Sequence, residues 1–396
     1  MENRKPPRKE NGAEPTPIEK AKRKYPWVKW GALAACFALA LLIIIKIIST
    51  VTVGFAKTEK LSMLVITEDS GETTGLPGAR AYDISEIINA NPWTERTKVS
   101  SLPVYQNIQA YESIGTINAD LDKMKGLLLE LANRLGMSAH TIKITDDTPN
   151  AETQAAIINK FDETGDSAPE GYFTPSSVNV EDNGIRVEVD QQMIATVRFK
   201  PALSLPEGYN FTYYAAYDEV VAVAQYLKEE YMDFIGMDNP KINVYGGAYD
   251  LYSQQAYSIE FYDGSGDITD QIVNYNFNRV AFYCDDEGKL YMARVFQPDL
   301  SIKVGDYPII TVSEAKEQLK NGGFVSPLRE KGPDLQSVAK VELIYRTGST
   351  EKYFMPYYRF FVELSDKRRD NGLRVYQIYD VPAVEGKYIS NMPVWD

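Results

Sequence analysis

The sequence is poor in cysteine and histidine. Its 396 residues contain two cysteines, Cys36 and Cys284, and one histidine, His140. Cys36 lies in an apolar stretch, so Cys284 has no partner for a disulfide in the rest of the chain. One histidine and one further cysteine are also too few for a zinc site of the usual kind. These absences predict a chain without disulfides or a bound metal.

The common catalytic and nucleotide-binding motifs are absent as well. The sequence has no Walker loop, no GxGxxG and no HExxH. Residues 263–267 begin like a calcium loop, but Ile268 stands where glycine is required and Asn274 where glutamate is expected, which favours a turn. Acidic pairs such as 285–286 could act as glycosidase carboxylates, but we interpret them as solvated. We therefore predict no catalytic, cofactor-binding or metal-binding residue and no cofactor.

One long apolar stretch is present, at residues 30–56. It runs from Trp30 to Ala56 and is interrupted by a single charge, Lys46. A hydrocarbon core of ~30 Å needs about 20 helical residues, and residues 30–49 supply that length. Lys46 lies near the far end, where its stem can run along the apolar phase and its ammonium can reach the interface. The stretch predicts a transmembrane helix with Trp30, Lys46 and Ala56 as anchor residues.

The flanking charges predict the orientation of this helix. Residues 1–29 carry nine Lys and Arg against four Glu. An excess of positive charge marks the cytoplasmic side, so we predict a disordered cytoplasmic tail at 1–29 and a single-pass protein with residues 57–396 outside the cell membrane. Cleavage after Ala56 as a signal peptide is an open alternative, although the long basic region and Lys46 disfavour it.

The remainder of the chain is acidic and long. Residues 57–396 carry 32 basic and 51 acidic residues, a net charge of −19, which argues against a nucleic-acid partner. A stretch of 340 residues predicts two or three domains. We place the first, a module with long loops, at 57–200, the second at 201–305 and the third at 306–396. An exterior without disulfides fits a Gram-positive bacterium better than a eukaryotic secretory route.

A helix followed by antiparallel strands recurs near residues 120, 218 and 312. In the first helix Met124, Leu128 and Leu131 share one face. Asn183-Gly184 predicts a hairpin turn, and Thr311 with Glu314 predicts a capping box. Stretches 68–108 and 146–175 read as loops. The pattern predicts an α+β fold in which one N-terminal transmembrane helix is followed by two or three helix-on-antiparallel-sheet modules.

Aromatic residues crowd the predicted strand at 353–364. Tyr353, Tyr357 and Tyr358 are its candidate partner-binding residues, because an exposed tyrosine row suits a protein surface or cell-wall sugar. The alternative, which we favour, is burial of both strand faces between modules.

Several segments resemble known membrane proteins. Residues 24–36 (KYPWVKWGALAAC) resemble the anchor region of clostridial single-pass proteins, including anti-sigma-factor-like ones. Residues 310–316 (ITVSEAK), 338–345 (VAKVELIY) and 379–384 (YDVPAV) are similar to modules of YycH/YycI-type regulatory ectodomains and PepSY-like domains. The resemblance implies regulation of a membrane signalling partner without catalysis. The tail lacks the Cys/His zinc motif of anti-sigma factors.

Two functions follow as expectations. The first is a non-catalytic, membrane-anchored extracytoplasmic protein that binds a protein partner or ligand and regulates a membrane signalling system. The alternative is a membrane-tethered cell-wall or peptide hydrolase with an acidic active site.

Overall fold

The computed structural model describes most of the chain beyond residue 60, all of it within one unit, Leu61–Asp396. The described residues are 61–67, 80–81, 89–110, 120–137, 143–169, 171–212, 215–249, 255–325, 332–368 and 374–393. The predicted tail and anchor, residues 1–56, lie outside this set, as does His140. Within the described part of the chain, no helix has the length and apolar character needed to cross a membrane.

Helices are separated by runs of consecutive strands that pair antiparallel, which confirms the α+β class. The strands are β1 (Arg80–Ala81), β2 (Ser101–Gln106), β3 (Thr145–Asp146), β4 (Ser177–Asp182), β5 (Ile185–Asp190), β6 (Ile194–Leu203), β7 (Pro240–Tyr249), β8 (Gln255–Asp263), β9 (Arg279–Cys284), β10 (Leu290–Phe296), β11 (Lys303–Pro308), β12 (Val338–Tyr345), β13 (Tyr353–Phe354), β14 (Pro356–Arg368) and β15 (Arg374–Pro382). The helices of the described residues are α1 (Leu121–Arg134), α2 (Ala151–Thr164), α3 (Tyr217–Glu230), α4 (Met232–Ile235), α5 (Ile268–Phe277) and α6 (Val312–Lys320).

The strands form three sheets. The large sheet has the order β3-β4-β5-β6-β10-β9-β8-β7, the C-terminal sheet β1-β15-β14-β12, and the small sheet β11-β2-β13. The large sheet continues across residue 200, because β6 spans Ile194–Leu203. The three domain ranges stay predictions.

Helices cover one face of the large sheet. α1 packs on β4 and β5, and α3 packs on β7 and β8. Side chains alternate along a strand, so Ile259 and Phe261 of β8 join the core under these helices, whereas Glu260 between them points to the opposite face. This core also receives Leu128 of α1 and Leu227 of α3.

The first helix forms as its sequence predicts. Asp120 precedes α1, and its side chain accepts a hydrogen bond from the backbone N–H of Lys123 at 3.0 Å. Leu128 is fully buried, whereas its neighbour Leu129 is 44 % exposed. The predicted capping box of α6 is also confirmed, since Thr311 and Glu314 bond to each other's backbone N–H.

The predicted hairpin turn between β4 and β5 is confirmed. Asn183 and Gly184 have φ angles of +47° and +80°, as a type I′ turn requires. A Cβ on Gly184 would lie 2.1 Å from the carbonyl oxygen of Lys200, so glycine is needed there for space as well as for conformation.

Two loops predicted from the sequence are wrong. Residues 146–175 include α2, which has no buried residue and only a short apolar face at Ile157 and Phe161, a weak signal for a helix. Residues 68–108 include β2, which was predicted to be loop because Pro103 lies within it. Proline is tolerated in this central strand because β13 pairs only with Tyr105 and Gln106.

Two neighbouring leucines of α1 give a matched test of the helix-on-sheet core. We expect Leu128→Ala to lower the free energy of unfolding by about 2–5 kcal/mol, because it leaves a cavity under α1. Leu129→Ala should change it by less than about 0.5 kcal/mol. Urea unfolding followed by tryptophan fluorescence, to which buried Trp93 contributes, measures both. Equal costs would contradict the orientation of α1.

Candidate functional site: a charged cleft between two sheets

The face of the large sheet opposite the helices carries buried polar groups. Asn243 of β7 and Glu260 of β8 are 3 % and 6 % exposed. Arg279 of β9 donates from Nη1 to both carboxylate oxygens of Glu260, at 3.0 Å each. The two residues are diagonal neighbours, since Glu260 lies opposite Ala281 in the ladder. The guanidinium of Arg279 also stacks 4.6 Å from the ring centre of Phe296.

The C-terminal sheet contributes a row of charges to the same region. Glu342 of β12 lies opposite Arg359 of β14, which lies opposite Asp380 of β15. Arg359 donates from Nε and Nη2 to the two carboxylate oxygens of Asp380, both at 2.9 Å. Lys340 forms an ion pair with Glu342. Two parallel hydrogen bonds fix the plane of the Arg359 guanidinium.

The charge of Arg359 is maintained by its neighbours. Desolvation would lower its pKa, but the charge and hydrogen bonds of Asp380 and the charge of Glu342 raise it above the ordinary value for arginine. The Arg359 side chain as a whole is 32 % exposed, so the residue is paired with its neighbours and still reaches solvent.

A short segment at residues 89–91 ties the two sheets together. Ala90 donates its N–H to the side chain of Asn243 at 2.9 Å and accepts a hydrogen bond from the Tyr262 hydroxyl at 2.9 Å, both on the large sheet. Asn89 donates to Glu342 at 2.7 Å, and Asn91 donates to the backbone of Leu343 at 3.1 Å, both on the C-terminal sheet.

The loop after β12 forms another wall. Arg346 pairs with Glu351 at 2.7 Å, and their side chains are 11 % and 3 % exposed. Asn107, which follows β2, donates to the backbone oxygen of Glu351 at 2.8 Å. Asn276 of α5 accepts a hydrogen bond from the backbone N–H of Tyr345 at 2.9 Å, which holds α5 against β12.

These groups enclose a cavity of about 320 Å³, which we call the inter-sheet cleft. It is lined by Asn243, Glu260, Tyr275, Asn276, Arg279, Glu342, Ile344, Tyr345, Arg346, Thr347 and Arg359. A cavity of about 130 Å³, the side cavity, shares Asn276, Arg279 and Thr347 with it and is otherwise walled partly by Ile194, Phe296, Pro298 and Phe354.

Buried polarity is concentrated at this place. Among the described residues, six of the seven buried polar or charged side chains line or flank the two cavities: Asn107, Gln109, Asn243, Glu260, Glu342 and Glu351. Burial of charge costs free energy unless each group is paired, so a cluster of this kind marks a candidate site.

The predicted partner-binding tyrosines lie elsewhere, at the small and C-terminal sheets. Tyr357 and Tyr358 are 0 % and 3 % exposed, so neither ring is accessible to a partner in this structure. The Tyr358 hydroxyl donates to the backbone oxygen of Ile310 at 2.8 Å, and burial raises its pKa to about 12. Tyr353 is half-buried beside β2. Tyr357 and Tyr358 are neighbours on opposite faces of β14, and both are buried. This agrees with the alternative favoured from the sequence, burial of both strand faces.

The acidic segments noted in the sequence serve as turns and caps. Asp285 accepts backbone hydrogen bonds from Glu287 and Lys289 in the turn between β9 and β10. Asp263 accepts from the N–H of Ser265, and Asp267 caps α5. Among the described residues, no group of three acidic, histidine or cysteine side chains could hold a metal ion.

Sequence reasoning missed the cleft, although a local signal for it exists. Glu260 stands between Ile259 and Phe261, and Glu342 stands between two further apolar residues of β12. A lone carboxylate within an apolar strand predicts a charge on a covered sheet face, and therefore a cation opposite it. The identity of that cation depends on tertiary packing.

Comparisons with known proteins add little to this geometry. No family model and no curated protein matches the chain. It is similar at 12 % identity to a solved structure of an uncharacterized protein from Eubacterium rectale ATCC 33656, with a TM-score of 0.31, over 72 % of this chain and 85 % of that one.

The ion pairs of the C-terminal sheet give a test of the cleft. We expect Arg359→Met to lower the free energy of unfolding by about 2 kcal/mol, less than for a fully buried pair because the Arg359 side chain is partly exposed. Arg374 pairs with Glu363 on the same sheet but is 57 % exposed, so Arg374→Met should cost less than about 0.5 kcal/mol. Equal effects in urea unfolding would contradict the pairing described here.

The chemistry of Cys284 gives a second test. Burial, with smaller contributions from Asp285 and Asp286, raises the pKa of its thiol to about 11. Only the thiolate reacts, so in a Cys36→Ser chain iodoacetamide should modify the folded protein at pH 8 roughly a hundredfold more slowly than free cysteine. The urea-unfolded chain, as a control, should react at the ordinary rate. Equal folded and unfolded rates would exclude this environment.

Proposed function

We propose that this protein is a non-catalytic, membrane-anchored extracytoplasmic protein that binds a small ligand in the inter-sheet cleft and regulates a membrane signalling partner. The observation that carries the proposal is the cleft itself. Its volume of about 320 Å³ lies at the lower end of the range for ligand sites, and its walls combine charged groups with the hydrogen-bonding side chains of Asn243, Asn276 and Thr347.

The position of the cleft supports a regulatory role. The large sheet supplies Glu260 and Arg279, whereas the C-terminal sheet supplies Glu342 and Arg359. A ligand that contacts both sheets stabilises one relative arrangement of them over others, and that differential affinity is the basis of any ligand-controlled change. The proposed anchor at 30–56, with a basic tail inside the cell, would place this change beside a membrane partner, as the resemblance to YycH/YycI-type and PepSY-like regulators implies.

The alternative is a membrane-tethered cell-wall or peptide hydrolase. Glu260 and Glu342 both line the cleft, and two carboxylates in a cleft are the requirement for acid–base hydrolysis. Their contacts favour binding instead. Glu260 is held by both hydrogen bonds from Arg279, and Glu342 accepts from Asn89 and pairs with Lys340.

Cross-linking in native membranes separates the two functions. We expect the full chain, cross-linked in its host membrane and then purified, to carry an identified signalling protein such as a sensor kinase. The purified chain should still contain its own residues 1–29. The matching activity assay uses cell-wall polymer and peptides as substrates. Hydrolysis that is lost in Glu260→Gln or Glu342→Gln, but kept in the control Glu363→Gln outside the cleft, would establish the hydrolase and overturn the proposal.

A further inference from the structure

The ionic groups at the inter-sheet cleft are balanced in sign. Three guanidiniums and two carboxylates line it: Arg279, Arg346, Arg359, Glu260 and Glu342. Ion pairs with other described residues add one ammonium and two carboxylates from outside the lining: Lys340, Glu351 and Asp380. The set therefore holds four cations and four carboxylates, and its net charge is zero.

This balance selects against a ligand with a net charge. A simple anion or cation would leave one uncompensated charge among groups that are largely buried, and that is costly. A zwitterion keeps the site neutral. Its carboxylate matches the planar donors of a guanidinium, and Arg359 is the most exposed of the three arginines that line the cleft. Its ammonium matches Glu260 or Glu342.

The side cavity supplies the second part of the specificity. It adjoins the charged cleft through Asn276, Arg279 and Thr347, so a bound molecule can extend from one into the other. Its volume is about 130 Å³, and the side chains of Ile194, Phe296 and Phe354 give it apolar walls. A small apolar group next to the charged head of the ligand would be buried there.

We infer that the inter-sheet cleft binds a free α-amino acid with a small apolar side chain. The carboxylate lies against the arginines, the ammonium lies against Glu260 and Glu342, and the side chain enters the side cavity. This inference rests on the proposed ligand-binding function and adds the chemical class of the ligand.

Four small molecules test the inference on the unmodified full chain in detergent. Titration calorimetry and thermal unfolding compare L-leucine with leucinamide, which lacks the carboxylate, with 4-methylpentanoate, which lacks the ammonium, and with glycine, which lacks the side chain. We expect L-leucine to bind and to raise the unfolding temperature. Each of the other three should bind at least roughly tenfold more weakly, because each loses a charged contact or apolar burial.

A pair of glutamate variants locates the site. Glu342→Gln removes one carboxylate of the cleft and should weaken L-leucine binding by roughly tenfold. Glu363→Gln, which changes the partner of Arg374 outside the cleft, should bind as the unmodified chain does. If Glu342→Gln does not fold, the four-ligand comparison still decides the question, since it needs no substitution.

Absence of L-leucine binding, or equal binding of L-leucine, leucinamide and 4-methylpentanoate, would overturn the assignment of a zwitterion. L-leucine binding that Glu342→Gln leaves unchanged in a folded protein would overturn the location. Either result is distinct from failure of the proposed function, which depends on capture of a signalling protein and on the hydrolysis assay.

Discussion

The buried ion pair between Glu260 and Arg279 is the constraint on which the arrangement of the sheets depends. Helices α1 and α3 cover one face of the large sheet with apolar side chains, so the carboxylate must lie on the other face. A sheet face that carries a carboxylate cannot be buried unless the charge has partners. The C-terminal sheet covers it with charges of its own, and the segment at 89–91 supplies the hydrogen bonds that join the two.

Apolar packing lies on either side of this polar layer. One core fills the space under α1 and α3, and another fills the C-terminal region around Phe324 and Phe360. Helix α5 belongs to the second core, since Phe277 packs 5.1 Å from both Tyr345 and Phe354 by ring centres. Each sheet thus has an apolar core of its own, whereas the inter-sheet cleft between them is lined mostly by polar groups that pair with one another.

Local signals in the sequence account for the elements that were predicted well. Helix α1, the Asn183-Gly184 turn and the capping box at Thr311 each depend on residues a few positions apart. Helix α2 has local signals of its own in the N-cap Asn150 and the C-terminal Gly165, but none of its residues is buried, so it lacks the extended apolar face that identified α1. The cleft was out of reach for a different reason. Asn89 and Glu342 are 253 positions apart, and no local pattern links them.

Both ends of the described chain meet at one place. Leu64 exchanges backbone hydrogen bonds with Tyr388 and Ser390, and Ile66 bonds in both directions with Asn391. The backbone pairing of Leu64 and the bonds of Ile66 to Asn391 therefore form only after residues 388–391 have been synthesised. Other contacts of this segment, such as that of Ser62 with Tyr307, can form earlier. Closing a loop of more than 300 residues is slow, so these pairs should be among the last to form.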